Sequence, residues 1–391
     1  MRKFVTYVLL TAFAALAGGC EGGRRMRLME TGELSAIYIP RHASGFAIYG
    51  IGQRSSLLSV LNPWQGALDV EMQLFLSRGG EMPPEGFSGT VVNVPLKKVI
   101  CMSSSHIAML DELGETRAIK GVSGGRYVTN PLIVERFESG YVREVGYDAL
   151  VNYELIAALE PDLVMIYGIS GGNSRMTHKL DELGIKYIYI GDYVEHSPLG
   201  KAEWIVAFGE MFDKRDQAVN VFSNIEERYN EVHASVVAHL AGRDWEDRRP
   251  VVMLNAPYRD TWYVPGDRNY MARLLADAGA QYASAGVDSY ASRPISGESA
   301  YRYAVLSDFW LNPGQAETLD DVRSLNPKFA DIPAVVNGRV YNCNARTTPG
   351  GGSDFWESGA MRPDLVLMDM ARIFHPQLLP DHELFYFRRL E

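Results

Sequence analysis

The sequence predicts an α/β fold of two Rossmann-like lobes joined by one long helix. Three observations lead to this prediction: strand-like and helix-like runs alternate from residue 97, they alternate again from residue 251, and a continuous helical pattern lies between the two series. With 391 residues, 47% of them hydrophobic, the chain is too long for one small core, so two lobes are expected. Alternating strands and helices favour parallel sheets covered by helices.

The first nineteen residues are interpreted as a lipoprotein signal peptide. A short basic start precedes an almost wholly apolar run, Phe4 to Leu16, which is too short to span a bilayer comfortably. Small residues then end at Cys20, as they do in a lipobox, where the thiol is acylated. A plain signal peptide with an incidental cysteine is the alternative. Residues 20–45 are assigned to a tether.

The N-terminal lobe is placed at residues 46–212 and begins with a β-rich extension. Between residues 34 and 98, short β-like runs are broken by Gly, Pro and Ser, which predicts an irregular segment. From residue 97 the pattern becomes regular. The predicted strands are Lys98–Met102, Thr116–Gly121, Leu163–Tyr167 and Ile185–Ile190, and the predicted helices are 103–113, Tyr153–Leu159 and Ser174–Leu183.

The interlobe helix is placed at residues 213–243. Apolar residues recur there at spacings of three and four, and Lys214 to Leu240 contains no Gly or Pro, so about 40 Å of continuous helix is possible. Residues 244–391 form the predicted C-terminal lobe, with a strand at Val251–Leu254, a helix at Met271–Ala278 and a further strand within Tyr303–Leu311.

Charge and cysteine content narrow the range of functions. The formal net charge of −10 makes nucleic acid an unlikely partner, because an acidic surface repels phosphate backbones. Cys101 and Cys343 both lie in hydrophobic stretches, which predicts two buried structural thiols without a disulfide. The eight histidines are scattered without a metal-binding pattern, and no cofactor motif is present, so we expect no cofactor.

Ser170 is the candidate nucleophile of an alternative function. It lies in Gly168-Ile169-Ser170-Gly171-Gly172, which matches the G-x-S-x-G elbow of serine hydrolases between a predicted strand and a predicted helix. The glycines place the helix start later than an elbow requires. A glycine-rich rim that lets the backbone approach a ligand is therefore the preferred interpretation, and Ser170 is then a ligand-contacting residue.

Aromatic and basic residues that follow predicted strands are candidate ligand contacts. Such loops face the crevice of open α/β sheets, and rings with guanidinium groups suit a large, partly apolar, anionic ligand. Packing of half or more of the rings in the core is the alternative. The candidates are Tyr258, Arg259, Trp262, Tyr270, Arg346 and Trp356, joined by Ser105, His106 and Arg126 near the first predicted strand.

Several segments, in order, resemble the periplasmic binding proteins for iron complexes and vitamin B12. They are Val99 to His106 followed by Gly121 to Gly124, a helix ending in L-x-P-D-L-V at Asn152 to Val164, Pro198 to Ile205, and Asp354 to Gly359 with Arg362 to Asp364. The resemblance covers roughly residues 95–380. It implies a helix-hinged pair of lobes with a cleft ligand, and docking onto an importer through an acidic residue on each lobe.

The resemblance implies a lipid-anchored solute-binding protein of an ABC importer, in the periplasm or cell envelope. Its partners are then the permease–ATPase complex, the membrane through the anchor, and an iron complex (siderophore or haem) or cobalamin. Glu298 matches the second-lobe docking position. The first-lobe position holds Ser174 and Arg175, so Glu203, or else Glu182, is the substitute. The alternatives are the serine hydrolase and a sensor or surface receptor that keeps the fold without the importer.

Overall fold

Two mainly parallel sheets, one on either side of a long helix, form the frame of the protein in its computed structural model. The structure describes residues 34–147, 150–170, 174–241, 249–258, 261–325 and 327–391. A third, mainly antiparallel sheet precedes this frame, and a small antiparallel sheet follows the second half's first strand. The α/β class and the two-lobed frame agree with the sequence-based prediction.

The N-terminal extension is a five-stranded sheet in the order β1-β2-β3-β5-β6. It is β-rich, as the sequence predicts, but its strands form one ordered sheet instead of irregular short runs. Its side chains alternate between two buried faces. Leu58 and Leu74 join the main core, whereas Leu57 and Phe75 form a small separate cluster. The strands are β1 (Ser35–Tyr38), β2 (Phe46–Ile51), β3 (Ser55–Leu61), β4 (Trp64–Gln65), β5 (Glu71–Ser77) and β6 (Thr90–Asn93).

The N-terminal lobe is built on a parallel sheet in the order β11-β10-β7-β8-β9, with β4 of the extension also pairing with β10. A 3-10 turn, Thr116–Ala118, occupies the start of the strand predicted at Thr116–Gly121. The strands are β7 (Val99–Cys101), β8 (Ile119–Val122), β9 (Arg143–Glu144), β10 (Leu163–Ser170) and β11 (Tyr187–Ile190). The helices are α1 (Ser104–Glu112), α2 (Pro131–Glu138), α3 (Tyr153–Ala158), α4 (Ser174–Glu182), α5 (Pro198–Glu203) and α6 (Ile205–Met211).

Two buried carboxylates fasten the start of the extension to the N-terminal lobe. Glu203 of α5 accepts hydrogen bonds of 2.7–2.8 Å from the Tyr38 hydroxyl and from the backbone N–H groups of residues 41, 42 and 43. Glu195 accepts from the backbone N–H groups of Ser44 and Gly45 and from the Trp204 indole. Residues 34–45 are therefore part of the folded extension, and the tether predicted for 20–45 ends before β1.

The long helix α7 (Arg215–Ala241) packs against both halves of the chain, as the sequence predicts. Its buried face carries Phe222, Ile225 and Tyr229, spaced three and four residues apart. On the C-terminal side, Arg228 donates to the buried Asp364 carboxylate at 2.7 Å. A helix of 27 residues is about 40 Å long.

The C-terminal lobe contains the second sheet, in the order β15-β12-β17-β18-β19, in which β19 is the antiparallel member. The small sheet β13-β14-β16 lies beside it. The strands are β12 (Val251–Leu254), β13 (Pro257–Tyr258), β14 (Thr261–Val264), β15 (Gln281–Tyr282), β16 (Arg293–Ile295), β17 (Phe309–Leu311), β18 (Val340–Asn342) and β19 (Arg388–Arg389). The helices are α8 (Tyr270–Asp277), α9 (Gly297–Val305), α10 (Leu319–Leu325), α11 (Pro333–Val336), α12 (Ser358–Met361) and α13 (Pro363–Phe374).

One apolar core continues from the extension through both lobes. Trp204, Phe208 and Phe222 are fully buried where the extension, α6 and α7 meet. Cys101 and Cys343 are buried free thiols, as predicted. Along the described part of the chain, no helix is both long and apolar enough to cross a membrane.

Candidate ligand-binding site

A cavity of about 270 Å³ lies between the two lobes. On the N-terminal side, its lining residues lie near the carboxyl ends of β7, β10 and β11. These ends meet at one edge of the sheet because the strands are parallel. On the C-terminal side its wall consists of α8 and the segment that leads through α12 into α13. This space is called the interlobe cavity below. Its N-terminal lining comprises Ser103, Ser104, Ser105, Tyr147, Tyr167, Asp192, Tyr193, Pro198 and Lys201.

Aromatic rings dominate the two walls of the interlobe cavity. Tyr147 and Tyr193 are half-exposed on the N-terminal side. Opposite them lie Tyr270 of α8, Phe355, and Trp356, of which 51% is exposed. Phe355 and Trp356 contact edge to face, with ring centroids 4.7 Å apart. Exposed rings in a concave site offer flat apolar surface to a ligand.

Charged groups form one end of the cavity. Lys201 is 8% exposed, and its ammonium group donates to the backbone carbonyl of Asp192 at 2.7 Å. The Lys201 Nζ lies 4.8 Å from the ring centre of Tyr270 and 5.8 Å from that of Tyr193. Burial lowers the pKa of Lys201, and the nearby carboxylates of Asp192 and Glu195 oppose that shift. This end of the cavity therefore holds a partly desolvated cation between two rings.

His106 lies behind Asp192, outside the cavity lining. Its ring is fully buried against Phe208, and its Nε2 is 3.9 Å from Asp192 Oδ1, which is too far for a hydrogen bond. Burial lowers the pKa of His106 to about 4, although the Asp192 carboxylate opposes the shift. His106 is therefore neutral at pH 7.

Direct contacts join the lobes beside the cavity. Glu357 of the C-terminal lobe accepts hydrogen bonds of 2.8 Å from the backbone N–H groups of Thr129 and Asn130. Burial raises the pKa of Glu357 to about 7, and these hydrogen bonds act in the opposite direction. The Thr348 hydroxyl donates to the Arg126 carbonyl at 2.9 Å.

A second contact between the lobes is an aromatic stack. The rings of His196 and Tyr290 lie nearly parallel, with centroids 3.5 Å apart. The Arg268 guanidinium group lies 5.1 Å from the Tyr290 ring centre and is paired with Asp288. His196 follows β11 on the N-terminal side and Tyr290 lies in the loop before β16. These two contacts add to the packing of α1 and α5 of the N-terminal lobe on α8, α12 and α13 of the C-terminal lobe.

Three of the sequence-predicted residues line the interlobe cavity: Ser105, Tyr270 and Trp356. Ser105 is buried at the start of α1 and shares a hydrogen bond of 2.9 Å with Ser103. Their contact with a ligand stays a prediction.

Two candidates belong to the core instead of the cavity. Trp262 is 4% exposed; its ring packs on Trp310 and Phe329, and its indole N–H donates to the Leu254 carbonyl. It faces inward because Trp262 and Val264 alternate with the exposed Tyr263 along β14. His106 is buried for the reason given above. Neither side chain reaches the cavity, so both assignments as ligand contacts are corrected.

The remaining candidates lie elsewhere. Arg126 is exposed beside Tyr127, and Arg346 donates to Asp354 at 2.8 Å; neither lines the cavity. The backbones of Ser170 and Tyr258 end β10 and β13, but their side chains lie outside the described part of the chain. The same applies to the whole of Arg259 and Cys20.

Of the three docking candidates, two are exposed and one is buried. Glu298 is exposed in the first turn of α9, behind the N-cap residue Ser296, so it remains a docking candidate. Glu203 is fully buried and accepts four hydrogen bonds from the extension, which corrects its assignment to docking. Glu182 is exposed on α4 and pairs with Lys179 at 2.8 Å.

Sequence reasoning missed Asp192, Tyr193 and Lys201. Asp192 and Tyr193 lie just after the buried strand β11. Position after a predicted strand is the signal that selected other candidates, and it could have selected these two. Lys201 lies in a helix whose residues are all buried, so no helical periodicity marks it. Among the described residues, no group of three or more His, Cys, Asp or Glu side chains is arranged to hold a metal ion.

The chain belongs to the periplasmic binding protein family, whose model matches residues 99–347. Among curated proteins it is similar to an uncharacterized lipoprotein of Methanocaldococcus jannaschii, at 26% identity over 99% of this chain and 96% of that protein. A second uncharacterized lipoprotein of the same organism is 26% identical over 82% of this chain and 81% of its own length.

Solved structures of low identity share the fold. A periplasmic heme binding protein of Pseudomonas aeruginosa matches with a TM-score of 0.55 at 19% identity, over 72% of this chain and 93% of its own. The periplasmic vitamin B12 binding protein of Vibrio cholerae matches with a TM-score of 0.52 at 13% identity, over 74% of this chain and 99% of its own. The family and these neighbours are solute-binding proteins, not enzymes.

Proposed function

We propose that the chain is the substrate-binding lipoprotein of an ABC importer and captures an iron complex, siderophore or haem, or a cobalamin between its lobes. The observation that supports this most strongly is the interlobe cavity, which lies at the carboxyl ends of β7, β10 and β11 and has rings on both walls. Open α/β sheets bind their ligands at this position, outside the carboxyl ends of the strands. The structural neighbours include a heme binding protein, a protein of an Fe3+-hydroxamate transport system and a vitamin B12 binding protein.

The size of the cavity favours the smaller members of this ligand range. Small-molecule sites enclose roughly 300–1,000 Å³, and this cavity has about 270 Å³. A siderophore or the edge of a tetrapyrrole fits such a volume better than a complete cobalamin, which requires the lobes to separate.

A serine hydrolase using Ser170 is the weaker candidate. Backbone pairing with β4 includes Ser170, so this residue is still in the strand, and α4 begins only at Ser174. A nucleophile elbow instead places its serine at the sharp turn from strand to helix. We therefore assign no catalytic role to the chain.

Membrane attachment through Cys20 is part of the proposal. The small residues that end at this cysteine, and the lipoprotein relatives, support an envelope location outside the cytoplasm. Mature protein from its native host is expected to partition into detergent, and Cys20→Ser to abolish this, since acyl chains supply the membrane affinity.

Native mass spectrometry of the purified protein with its ligand tests the binding function. We expect a metal chelate or tetrapyrrole to be retained and its removal to lower the thermal stability. Titration of ligand-free protein with haemin, a ferric hydroxamate and cyanocobalamin then gives the affinities. Absence of binding to all three, together with ester hydrolysis that Ser170→Ala abolishes, would favour the hydrolase.

Docking onto the importer is assigned to Glu298, because its exposed carboxylate at a helix start is available to an arginine of a permease. Glu298→Ala is expected to leave ligand affinity unchanged and to impair ligand-stimulated ATP hydrolysis by the reconstituted transporter. Glu182→Ala tests the remaining first-lobe candidate in the same assay, and Glu231→Ala, an exposed carboxylate on α7, is the control that should behave as wild type. Normal stimulation by the Glu298 variant would exclude the docking role.

A further inference from the structure

The ammonium group of Lys201 has unused hydrogen-bonding capacity inside the interlobe cavity. An ammonium has three N–H donors, and one of them is directed to the Asp192 carbonyl at 2.7 Å. Among the described residues, no carboxylate oxygen lies within 4 Å of Nζ to form an ion pair. The side chain is 8% exposed, so bulk water solvates it little. A buried cation in this state is stabilised by an anion that shares its site.

The nearest acidic groups do not supply that anion. Glu195 is occupied by Ser44, Gly45 and Trp204, on the side of the extension. Asp192 contacts Lys201 through its backbone carbonyl, and its Oδ1 is directed toward His106 and accepts no hydrogen bond from the described residues. His106 is neutral and cannot compensate the Asp192 carboxylate, so Asp192 and Lys201 form a separated pair of opposite charges at this end of the cavity.

The rings around Lys201 restrict where an anion can approach. Tyr270 and Tyr193 present their faces to Nζ at 4.8 and 5.8 Å, on opposite lobes. Cation–π contact of this kind keeps the ammonium between the lobes. The open direction is toward the cavity, whose remaining walls carry Phe355 and Trp356.

We propose that the cavity selects ligands with an anionic oxygen group, a carboxylate or a phosphate, which accepts hydrogen bonds from Lys201 Nζ while a flat apolar part of the ligand lies against the rings near Trp356. Lys201 is then the residue that determines specificity for anionic over neutral cargo. This inference rests on the proposed binding function, since it concerns the same cavity.

Two fragments of nearly equal shape test the inference without knowledge of the ligand. Benzoate carries the carboxylate and ring that the proposal requires, and benzamide is its neutral counterpart. Ligand-free protein is titrated with each fragment and with inorganic phosphate, followed by the NMR signals of 15N-labelled lysine side chains and by Trp fluorescence. Benzoate is expected to bind at least about tenfold more tightly than benzamide, because hydrogen bonds to charged groups are the stronger ones. Phosphate binding without benzoate binding would identify phosphate as the group.

Variants at Lys201 assign the effect to this side chain. Lys201→Met keeps the apolar stem and is expected to bind benzoate and benzamide equally, while Lys201→Arg retains a preference for benzoate. Lys186→Gln, an exposed lysine on the same lobe, is the control and is expected to behave as wild type. Circular dichroism and thermal unfolding establish that each variant is folded.

The outcomes distinguish this inference from the proposed function. Three outcomes overturn the inference, even if a neutral ferric hydroxamate binds. The wild type binds benzoate and benzamide equally, or it binds neither benzoate nor phosphate, or Lys201→Met keeps the preference for benzoate. A benzoate preference that depends on Lys201, with no binding of any metal complex, supports the anion site and contradicts the iron-complex or cobalamin cargo.

Discussion

At the scale of single residues, the two tryptophans first considered equivalent have opposite environments. Trp262 is enclosed by Trp310 and Phe329 in the C-terminal lobe, whereas half of Trp356 is exposed in the cavity wall. Trp262 lies after the first strand of the C-terminal lobe and Trp356 after a glycine-rich turn, and each has other rings nearby, so the local sequence does not show which of them is buried. Burial decides their roles: one stabilises the fold, and the other is available to a ligand.

We expect Trp262→Ala and Trp356→Ala to have different effects. Removal of the buried Trp262 ring leaves a cavity and lowers the free energy of unfolding by about 3–5 kcal/mol. Loss of the Trp356 ring changes the free energy of unfolding little but weakens ligand binding by about 2 kcal/mol. Urea unfolding and ligand titration measure the two quantities. Unchanged affinity in Trp356→Ala would remove this residue from the site.

Glu357 makes the free energy of unfolding depend on pH near neutrality. Its pKa in the folded protein is about 7, above the ordinary 4.5, so the folded state holds the proton more tightly than the unfolded state. The resulting stabilisation is complete below about pH 4.5 and is lost as the pH rises through 7. Relative to Glu357→Gln, which does not titrate, the wild type should lose on the order of 3 kcal/mol between pH 4.5 and 8. Parallel pH profiles of wild type and variant in urea unfolding would contradict this pKa.

At the scale of elements, α5 connects the ligand site with the extension. Its Lys201 faces the cavity, and two positions further on its Glu203 binds the backbone of residues 41–43. The solved structures described above cover 72% and 74% of this chain, and the family model begins at residue 99. The extension therefore precedes the part of the chain that the family model matches, and buried carboxylates attach it to that part.

Replacement of Glu203 should release the start of the extension. Glu203→Ala leaves three partly buried backbone N–H groups without their acceptor, which costs about 3 kcal/mol in all. Hydrogen exchange at residues 41–43 is expected to accelerate strongly. Glu226→Ala is the matched control, because Glu226 contacts the same segment through the side chains of Arg41 and His42, and such pairs contribute about 1 kcal/mol or less. Similar exchange in both variants would contradict the anchoring role.

At the scale of the whole molecule, α7 and the contacts between the lobes limit relative motion. Bending α7 breaks backbone hydrogen bonds, and its 27 residues contain no Gly or Pro to ease a kink. Glu357 with Thr129, and His196 with Tyr290, add contacts between the lobes at two separate places. If the chain serves an importer, as proposed, we expect recognition of the loaded protein to depend on surface charge and on the shape of the rim.

Small-angle scattering of the free and loaded protein measures this rigidity. The radius of gyration is expected to change by about 1 Å or less, as in other preorganised complexes. Glu357→Ala, which removes one contact between the lobes, is the variant in which a larger change is expected. A strong compaction of the wild type on loading would show that the helix does not restrain the lobes.

The sequence predicted the frame of the molecule better than its site. Val251–Leu254 was predicted to the residue and α7 to within two residues at each end, because long periodic patterns and buried strands leave clear signals. The extension was predicted to be β-rich but not to form one ordered sheet, because its central strand β3 is buried along six of its seven residues and shows no alternation. Lys201 was missed because burial of a charged residue depends on the tertiary structure around it.

The attachment of the extension also determines where mechanical force enters the fold. In a lipid-anchored protein, tension along the chain that leads from Cys20 reaches β1 and then the hydrogen bonds from residues 41–45 to Glu203 and Glu195. These carboxylates lie within a few residues of Asp192 and Lys201 in sequence, so the load is carried by the wall of the ligand cavity. If Cys20 is acylated, as proposed, tension on that end would strain the wall of the interlobe cavity before it strains the C-terminal lobe.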